Sequence, residues 1–281
     1  MVLPNILVMT TTLTPAWATA VTDWTSSMRA AGRPPTTVRT RVEHLRWCGV
    51  AHADRSPWDL TLDDLVSWMG SREWARETRR GVRASLRSFY AWAVQTGRVA
   101  TSPAADLPSV KPLPPNPRPA PDDAYRQALA AARPRERLMV RLAAECGMRR
   151  AEVAAVHSRD LVEDLTGWSL VVHGKGQRER LVPLPPGIAA ELRTLPQGWA
   201  FPGDDGGHLS PRWVGTLVGR LLPEGWTMHS LRHRAATRWY AVDRDLLTVG
   251  ALLGHASPVT TRTYVRLPDD AKRRLVLAAA A

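Results

Sequence analysis

The sequence predicts a mainly helical protein of the α+β class: an N-terminal four-helix bundle and a C-terminal, mostly helical domain that holds a small three-stranded antiparallel sheet. Three observations support this prediction. Helix-capping signals recur along most of the chain. The spacing of apolar residues changes to that of strands only between residues 161 and 184. Prolines crowd one central stretch. We therefore expect a helical domain over residues 12–102, a proline-rich linker over 103–121 and a second domain over 122–281.

Capping residues divide the first domain into four helices. Thr14 and Pro15 open the first of them, and Thr61 with Asp64 forms a capping-box pattern at the start of the third. Gly97 is placed to end the fourth. The expected spans are about 15–31, 36–50, a short helix from 61, and 74–96.

Arginines recur at helical spacing on two of these helices, opposite an apolar stripe on the fourth that includes Leu86 and Phe89. Most charge runs are simply solvated surface. Here few acidic residues are interleaved, so we expect these side chains to contact the phosphates or a groove of a nucleic acid. The candidate DNA-binding residues are Arg39, Arg41, Arg46, Arg72, Arg76, Arg80, Arg83 and Arg87.

Composition favours a nucleic-acid partner over a membrane. The formal net charge is +12 at pH 7, from 38 basic and 26 acidic side chains. No stretch approaches the roughly 20 apolar residues of a membrane span, and the N-terminus does not have the pattern of a signal peptide. Cys48 and Cys146 lack metal-ligand spacing, so we interpret them as core thiols of a cytoplasmic protein.

In the second domain, two helices joined at a proline precede a short helix that begins near Arg149. A hairpin turn with two glycines over 174–177 then joins the last two of three strands. Further helices follow to the end of the chain. The expected helices are 122–132, 134–146, 149–156, 188–195, 210–222, 229–241, 246–253, 258–267 and 269–280, and the expected strands are 161–162, 168–173 and 178–184.

Several residues here have the chemistry to act on a phosphodiester, although each has an ordinary alternative. Tyr264 lies on a helix just after His255, and a phenol with a pKa near 10 attacks phosphorus only when a base or cations assist it. Taken alone, it is more simply an amphipathic surface residue. His229 and Arg232 are three positions apart and share one helix face, which suits a phosphate or an exposed pair equally.

Two more candidates precede these in the chain. Arg149 stands where one helix stops and another starts, with Glu152 one turn away to orient it, although an exposed turn would look the same. Lys175 at the tip of the hairpin is either a solubilising turn lysine or a proton donor.

The joint order of these motifs is more specific than any one of them. The runs are Cys146-Gly147-Met148-Arg149-Arg150-Ala151-Glu152, Gly174-Lys175-Gly176-Gln177-Arg178-Glu179-Arg180-Leu181-Val182-Pro183-Leu184, His229-Ser230-Leu231-Arg232-His233, and Leu253-Gly254-His255 through to Tyr264. In this order they resemble the tyrosine recombinase (phage integrase) family over the whole second domain. The basic bundle ahead of them is similar to the core-binding (SAM-like) domain of that family, and the chain resembles its two-domain members, which lack an arm-binding domain.

The resemblance implies a site-specific recombinase that cleaves and rejoins DNA through a 3′-phosphotyrosine intermediate. Arg149 and Arg232 would hold the scissile phosphate, His229 would assist proton removal from Tyr264, and Glu152 would support the site. The remaining implied roles are a phosphate hydrogen bond from His255 and protonation of the leaving 5′-oxygen by Lys175. No cofactor or metal is implied.

The implied partners are double-stranded DNA and three further copies of the chain in a synaptic homotetramer. The resemblance leaves open whether the protein is a monomer in free solution and whether a directionality factor takes part. Integration or excision of a phage or mobile element in a bacterial cytoplasm or nucleoid is the expected role, and Xer-like dimer resolution is the alternative. The other possible functions are a catalytically silent DNA-binding regulator and a type IB topoisomerase-like enzyme. The terminal segment 269–281 could dock in a neighbouring subunit or pack in cis.

Overall fold

The computed structural model describes residues 12–113, 116–174, 179–254 and 261. The chain divides into two compact units, Met1–Pro114 and Pro115–Ala281. Among the described helices, none combines the length and the hydropathy that crossing a membrane requires. The expected class, mainly helical with one small antiparallel sheet, is confirmed.

Over residues 12–113, the first unit contains four helices: α1 (Pro15–Ala30), α2 (Pro35–Ala51), α3 (Leu62–Gly70) and α4 (Arg76–Gln95). The expected capping box opens α3, because the Asp64 N–H donates to Thr61 Oγ1 at 3.3 Å and the Thr61 N–H donates to Asp64 Oδ2 at 2.7 Å. Satisfying these end groups favours a helix start at this point.

An aromatic cluster fills the core of the first unit. Phe89 is fully buried at its centre, with its ring 5.3 Å from that of Trp24, 5.7 Å from that of Trp58 and 4.9 Å from that of Tyr90. The Tyr90 hydroxyl donates to the Pro57 carbonyl at 2.9 Å, which satisfies its polar group inside the core. The first unit therefore has an apolar core of its own.

The second unit contains seven helices in its described part, arranged around one core. They are α5 (Asp122–Ala131), α6 (Pro134–Ala144), α7 (Arg150–Ala154), α8 (Pro186–Thr194), α9 (Pro211–Gly219), α10 (Met228–Asp243) and α11 (Leu246–Leu253). Helix α6 is central: Leu138, Met139, Val140 and Leu142 are all at most 2% exposed. Three of these four residues are consecutive, so α6 is buried on more than one face in its second half.

The sheet is antiparallel with the order β1 (Leu161–Asp164), β2 (Gly167–His173) and β3 (Glu179–Pro183). A short 3-10 helix, Ser158–Asp160, precedes β1. In β3 the side chains of Arg180 and Val182 lie on the face turned toward the protein, as the alternation of strand side chains requires.

The fourth helix begins later than the sequence predicts. Arg72 lies in the irregular segment before α4, and its carbonyl accepts a hydrogen bond from Arg79 Nη2 at 2.6 Å. Trp74, which precedes α4, packs with its ring 5.1 Å from that of Trp68 and 5.9 Å from that of Trp47. Arg72 therefore does not belong to the arginine stripe of that helix.

The proline-rich segment 103–121 contributes to both cores. Ala104 and Leu107 are 0% and 2% exposed in the core of the first unit, and Ala120 is 3% exposed in that of the second. The hairpin tip 175–178 and the expected helices over 258–267 and 269–280 lie outside the described residues.

Candidate active site

A cleft of about 770 Å³ opens in the second unit between the start of α7, helix α9 and the start of α10. Its walls are strongly cationic, and no carboxylate lies among the described lining residues. The basic lining residues are Arg149, Arg150, Arg212, His229 and Arg232. Such a cleft attracts an anionic group and disfavours a cation.

The chain reaches the cleft through a sharp reversal after α6. Gly147 has a φ of +62°, in the left-handed region that favours glycine, and the Met148 N–H donates to the Leu142 carbonyl at 3.2 Å. A Cβ at Gly147 would lie 2.6 Å from the Trp239 ring. This tight passage brings Arg149 to the rim of the cleft.

Arg232 lies beneath this rim and is fully buried on α10. Its guanidinium donates to the Gly147 carbonyl and, at 2.7 Å, to the Leu253 carbonyl. A buried cation needs such acceptors, because an unpaired charge inside a protein is very costly. Arg232 therefore joins the reversal after α6 to the end of α11.

The Glu152 carboxylate is the common partner of three arginines. Oε1 accepts from Arg149 Nη1 at 2.7 Å and from Arg180 Nη1 at 3.0 Å. Oε2 accepts from the Arg149 backbone N–H and from Arg180 Nη2, each at 2.8 Å. Arg232 Nη1 lies 3.7 Å from Oε2. The side chain of Glu152 is only 4% exposed, so these contacts replace water almost completely.

These contacts keep Glu152 ionised. Burial by itself would raise the pKa of the Glu152 carboxyl, but the hydrogen bonds and charge of Arg180, the Arg149 N–H and the charge of Arg232 together hold that pKa below its usual value. A charged carboxylate among three guanidinium groups holds them in one place.

The last carbonyls of α11 bind the same arginines. Leu252 O accepts from Arg180 Nε at 2.7 Å, and Leu253 O accepts from Arg149 Nη1 at 3.4 Å as well as from Arg232. The C-terminal end of a helix carries partial negative charge, so cations are stabilised there. The arginine cluster therefore also fixes the point from which the chain continues toward residue 255.

His229 lies at the cleft on the first turn of α10, one turn before Arg232. Its ring lies 4.6 Å from the His233 ring in an edge-to-face arrangement. The protein atoms around it desolvate the charged form, and the charges of Arg232 and Arg149 add to this, so the pKa of His229 is lowered from its usual 6.5. The imidazole is therefore neutral at pH 7.

The structure brings together four of the seven residues that the sequence indicates for this site: Arg149, Glu152, His229 and Arg232. The other three, Lys175, His255 and Tyr264, lie outside the described residues. Within the described ranges, no group of three or more His, Cys, Asp or Glu side chains is placed to hold a metal ion.

Sequence reasoning missed Arg180, Arg150 and Arg212. For Arg180 a signal existed: it alternates with Val182, which is fully buried, so the strand period alone places it on the inward face. Arg150 adjoins the predicted Arg149 in sequence, whereas for Arg212 the spacing gave no signal, because the cleft brings it together with residues far from it in the chain.

Several of the candidate DNA-binding arginines in the first unit have intramolecular partners. Arg83 donates through Nε and Nη2 to the Leu107 carbonyl at 3.0 and 2.7 Å, and Arg87 donates to the Ala105 carbonyl at 2.8 Å. Arg41 donates to Ser88 Oγ at 3.0 Å.

Of these three, Arg87 is still exposed. The remaining candidates in this set are also exposed: Arg39, Arg46, Arg72, Arg76 and Arg80, the last of which pairs with Glu77 at 2.7 Å.

Residues 121–270 match the sequence profile of the phage integrase family. Tyrosine recombinase XerC of Xanthomonas campestris pv. campestris is 35% identical over 205 residues, which make up 66% of this chain and 62% of that protein, less than two thirds of its length. XerC of Methylobacterium nodulans is 31% identical over 279 residues, 88% of this chain and 84% of that protein. A lambda integrase tetramer bound to a Holliday junction shares the fold, with a TM-score of 0.73 at 17% identity over 90% of this chain and 79% of that one.

Proposed function

Because this chain belongs to the phage integrase family, we propose that it is a site-specific tyrosine recombinase that cleaves and rejoins double-stranded DNA through a 3′-phosphotyrosine intermediate. The observation that carries the proposal is the pair of cleft arginines, Arg149 and Arg232, oriented by one buried carboxylate beside a neutral histidine. This arrangement suits a phosphodiester in which negative charge builds up during attack.

The chemistry follows from the groups at the cleft. The Tyr264 oxygen attacks the scissile phosphorus while His229, neutral at pH 7, assists removal of the phenol proton. The bond from phosphorus to the 5′-oxygen breaks, and Lys175 protonates that oxygen as it leaves. His255 donates a hydrogen bond to the phosphate. The roles of Lys175, His255 and Tyr264 rest on their places in the family motifs.

The two arginines act on the transition state. Their guanidinium groups meet charge on the non-bridging oxygens, and because Glu152 fixes them beforehand, little reorganisation is needed when the charge develops. Removing one such fixed donor costs about 3 kcal/mol in measured oxyanion sites.

The proposed partners are a DNA duplex and three further copies of this chain in a synaptic tetramer. The solved lambda integrase tetramer bound to a Holliday junction supports both parts. The net charge of +12 supports binding to a polyanion. Within residues 12–102, we propose that the exposed arginines on α2 and α4 contact the DNA.

The proposed role is the integration or excision of a mobile element in the bacterial cytoplasm. A directionality factor is a further proposed partner.

A covalent-trapping experiment tests the proposal. The probe is a nicked duplex built on the sequence that the full chain enriches from a randomised duplex library. The nick lies just 3′ of the cut, so the short piece that carries the new 5′-hydroxyl diffuses away and the protein–DNA adduct accumulates. We expect an adduct on a denaturing gel with the wild type and with Tyr240→Phe, a matched loss of one phenol hydroxyl, but none with Tyr264→Phe.

Other outcomes distinguish the alternatives. A duplex that is bound without any adduct in the wild type would contradict the enzymatic proposal and support a DNA-binding regulator. Relaxation of supercoiled plasmids that lack the enriched sequence would support a topoisomerase-like enzyme. Adduct formation by Tyr264→Phe would show that the nucleophile is another residue.

A further inference from the structure

We propose that Arg180 is a positioning residue for this reaction, which holds the Glu152 carboxylate and the end of α11 and so fixes Arg149 and Arg232 in the cleft. The inference rests on the proposed function. Arg180 does not line the cleft and would not touch the scissile phosphate, so its effect would pass through the groups that do.

All three nitrogens of the Arg180 guanidinium are used within the described structure. Nη1 and Nη2 donate to the two oxygens of Glu152 at 3.0 and 2.8 Å, and Nε donates to the Leu252 carbonyl at 2.7 Å. Its side chain is 9% exposed and that of Glu152 is 4% exposed. The contact is bidentate and nearly dry, a geometry that arginine provides and lysine does not.

Arg180 thereby joins three parts of the site that are distant in sequence. It stands on β3, the strand that follows the hairpin with Lys175, and it contacts α7 through Glu152 and α11 through Leu252. Because Glu152 accepts from the Arg149 side chain and its backbone N–H, a shift of the carboxylate would move Arg149 directly.

The chain at the end of α11 is shaped to admit Arg180. Gly254 has a φ of +65°, and a Cβ built on it would lie 3.0 Å from Arg180 Cδ and 3.2 Å from Nη1. Glycine thus serves two needs at this position, since it allows the left-handed backbone and leaves room for the guanidinium. This close approach places the arginine against the residue that precedes His255.

Precise placement of the phosphate-binding arginines matters because a displacement of about 1 Å in an active site can slow a reaction on the order of 100-fold. Groups that orient the residues in contact with a reacting centre typically contribute about 10- to 100-fold, as measured for the outer shells of metal sites. We expect an effect of this size for Arg180.

The test compares Arg180→Met and Arg180→Lys with Arg141→Met in full-length protein. Arg141 is a matched control, because it also binds two carboxylates in the second unit, Glu145 at 2.9 Å and Glu191 at 3.3 Å, but it does not line the cleft. Single-turnover cleavage of the nicked duplex described above separates two quantities. The amplitude reports the fraction of folded, active protein, and the rate constant reports how well that fraction is arranged.

We expect both Arg180 variants to slow the rate constant about 10- to 100-fold, with the Kd for the duplex within about threefold of the wild type, because phosphate contacts along the whole site dominate binding. Arg141→Met should keep the wild-type rate constant. A purely structural role would instead lower the amplitude and the Tm and leave the rate constant unchanged, which would overturn the inference.

A double-mutant cycle identifies the route of the effect. If Arg180 acts through Glu152, Arg180→Met combined with Glu152→Gln should be about as slow as Glu152→Gln alone. Multiplicative losses would show that Arg180 does not act through Glu152 and would refute the proposed route. Failure of the wild type itself to form an adduct would refute the proposed function instead, so the two failures are distinguishable.

Discussion

Replacing Glu152 by glutamine should destabilise the second unit strongly, although the side chain keeps its shape. Each carboxylate oxygen accepts two hydrogen bonds from arginine donors. Glutamine offers one oxygen and one NH2 group. In either orientation, the NH2 group would therefore face two arginine N–H donors and accept from neither. The substitution also removes the negative charge between Arg149, Arg180 and Arg232.

The magnitude follows from these contacts. Two lost hydrogen bonds to a charged group cost about 1.5–3 kcal/mol each, and breaking a buried ion pair by removing one partner costs about 3–5 kcal/mol. We therefore expect the free energy of unfolding to fall by about 3–5 kcal/mol. For a domain of this size, 1 kcal/mol lowers Tm by about 2–4 °C, so the shift is roughly 6–20 °C.

Differential scanning calorimetry of the full chain measures this loss, since it reports the transition of each unit. The control is Glu191→Gln, whose partner Arg141 lies 3.3 Å away with both side chains partly exposed, and it should cost less than about 1 kcal/mol. Equal, small losses for both variants would refute the idea that Glu152 holds a buried ionic cluster.

The pH dependence has a definite sign. The pKa of Glu152 is lower in the folded chain, so its contribution to stability is fully present above the unfolded-state pKa and is lost as the pH falls through the folded-state pKa. The difference in stability between wild type and Glu152→Gln should therefore shrink in acid.

Three further predictions concern single positions. The cleavage rate should stay constant from pH 8 to below the ordinary histidine pKa of 6.5 and fall in more acidic solution, because His229 must be neutral to accept a proton; His229→Gln should be slow at every pH. Arg76→Ala should weaken DNA binding and reduce the slope of log binding constant against log salt concentration by about 1. Arg83→Ala should instead mainly lower the free energy of unfolding of the first unit, by about 1–3 kcal/mol, because it loses the hydrogen bonds to the Leu107 carbonyl. Gly147→Ala should slow cleavage and lower Tm, because its Cβ would lie 2.6 Å from the Trp239 ring.

Each of these has its own check. A pH profile unchanged by His229→Gln would remove that residue from the proton transfer. Fluorescence anisotropy over a salt series compares Arg76 with Arg83, and equal slopes for the two variants would contradict their separate roles. Gly32→Ala controls for backbone strain, since Gly32 has a φ of +65° with nothing within 4 Å of its Cβ position. An equal loss of Tm there would mean that the Trp239 contact adds nothing.

Local sequence information was sufficient for most elements of the fold. Proline at the first helical position marks the starts of α1 and α6, and the capping box marks that of α3. These signals act within one turn of helix and do not depend on distant residues. The period-2 alternation likewise indicates the three strands, and their antiparallel order is confirmed.

Contacts between distant residues decided the rest. Trp74 was expected at the start of α4 and instead precedes it, packed on Trp47 and Trp68, and Arg72 lies further outside the helix. Arg83 and Arg87 have the helical spacing of a DNA-binding stripe, and the structure adds that Arg83 donates to the Leu107 carbonyl and Arg87 to the Ala105 carbonyl. Charge and spacing do not specify which arginines also have a carbonyl partner within the protein.

By itself, the sequence determined the helical class, the basic character and the order of the motifs that resemble one family. The tertiary structure alone decided that a single buried carboxylate joins Arg149, Arg180 and Arg232, and that the end of α11 closes on them. The physical reason is that pairing of buried charges depends on which atoms approach within hydrogen-bond distance, and chain folding brings these atoms together from positions up to 104 residues apart.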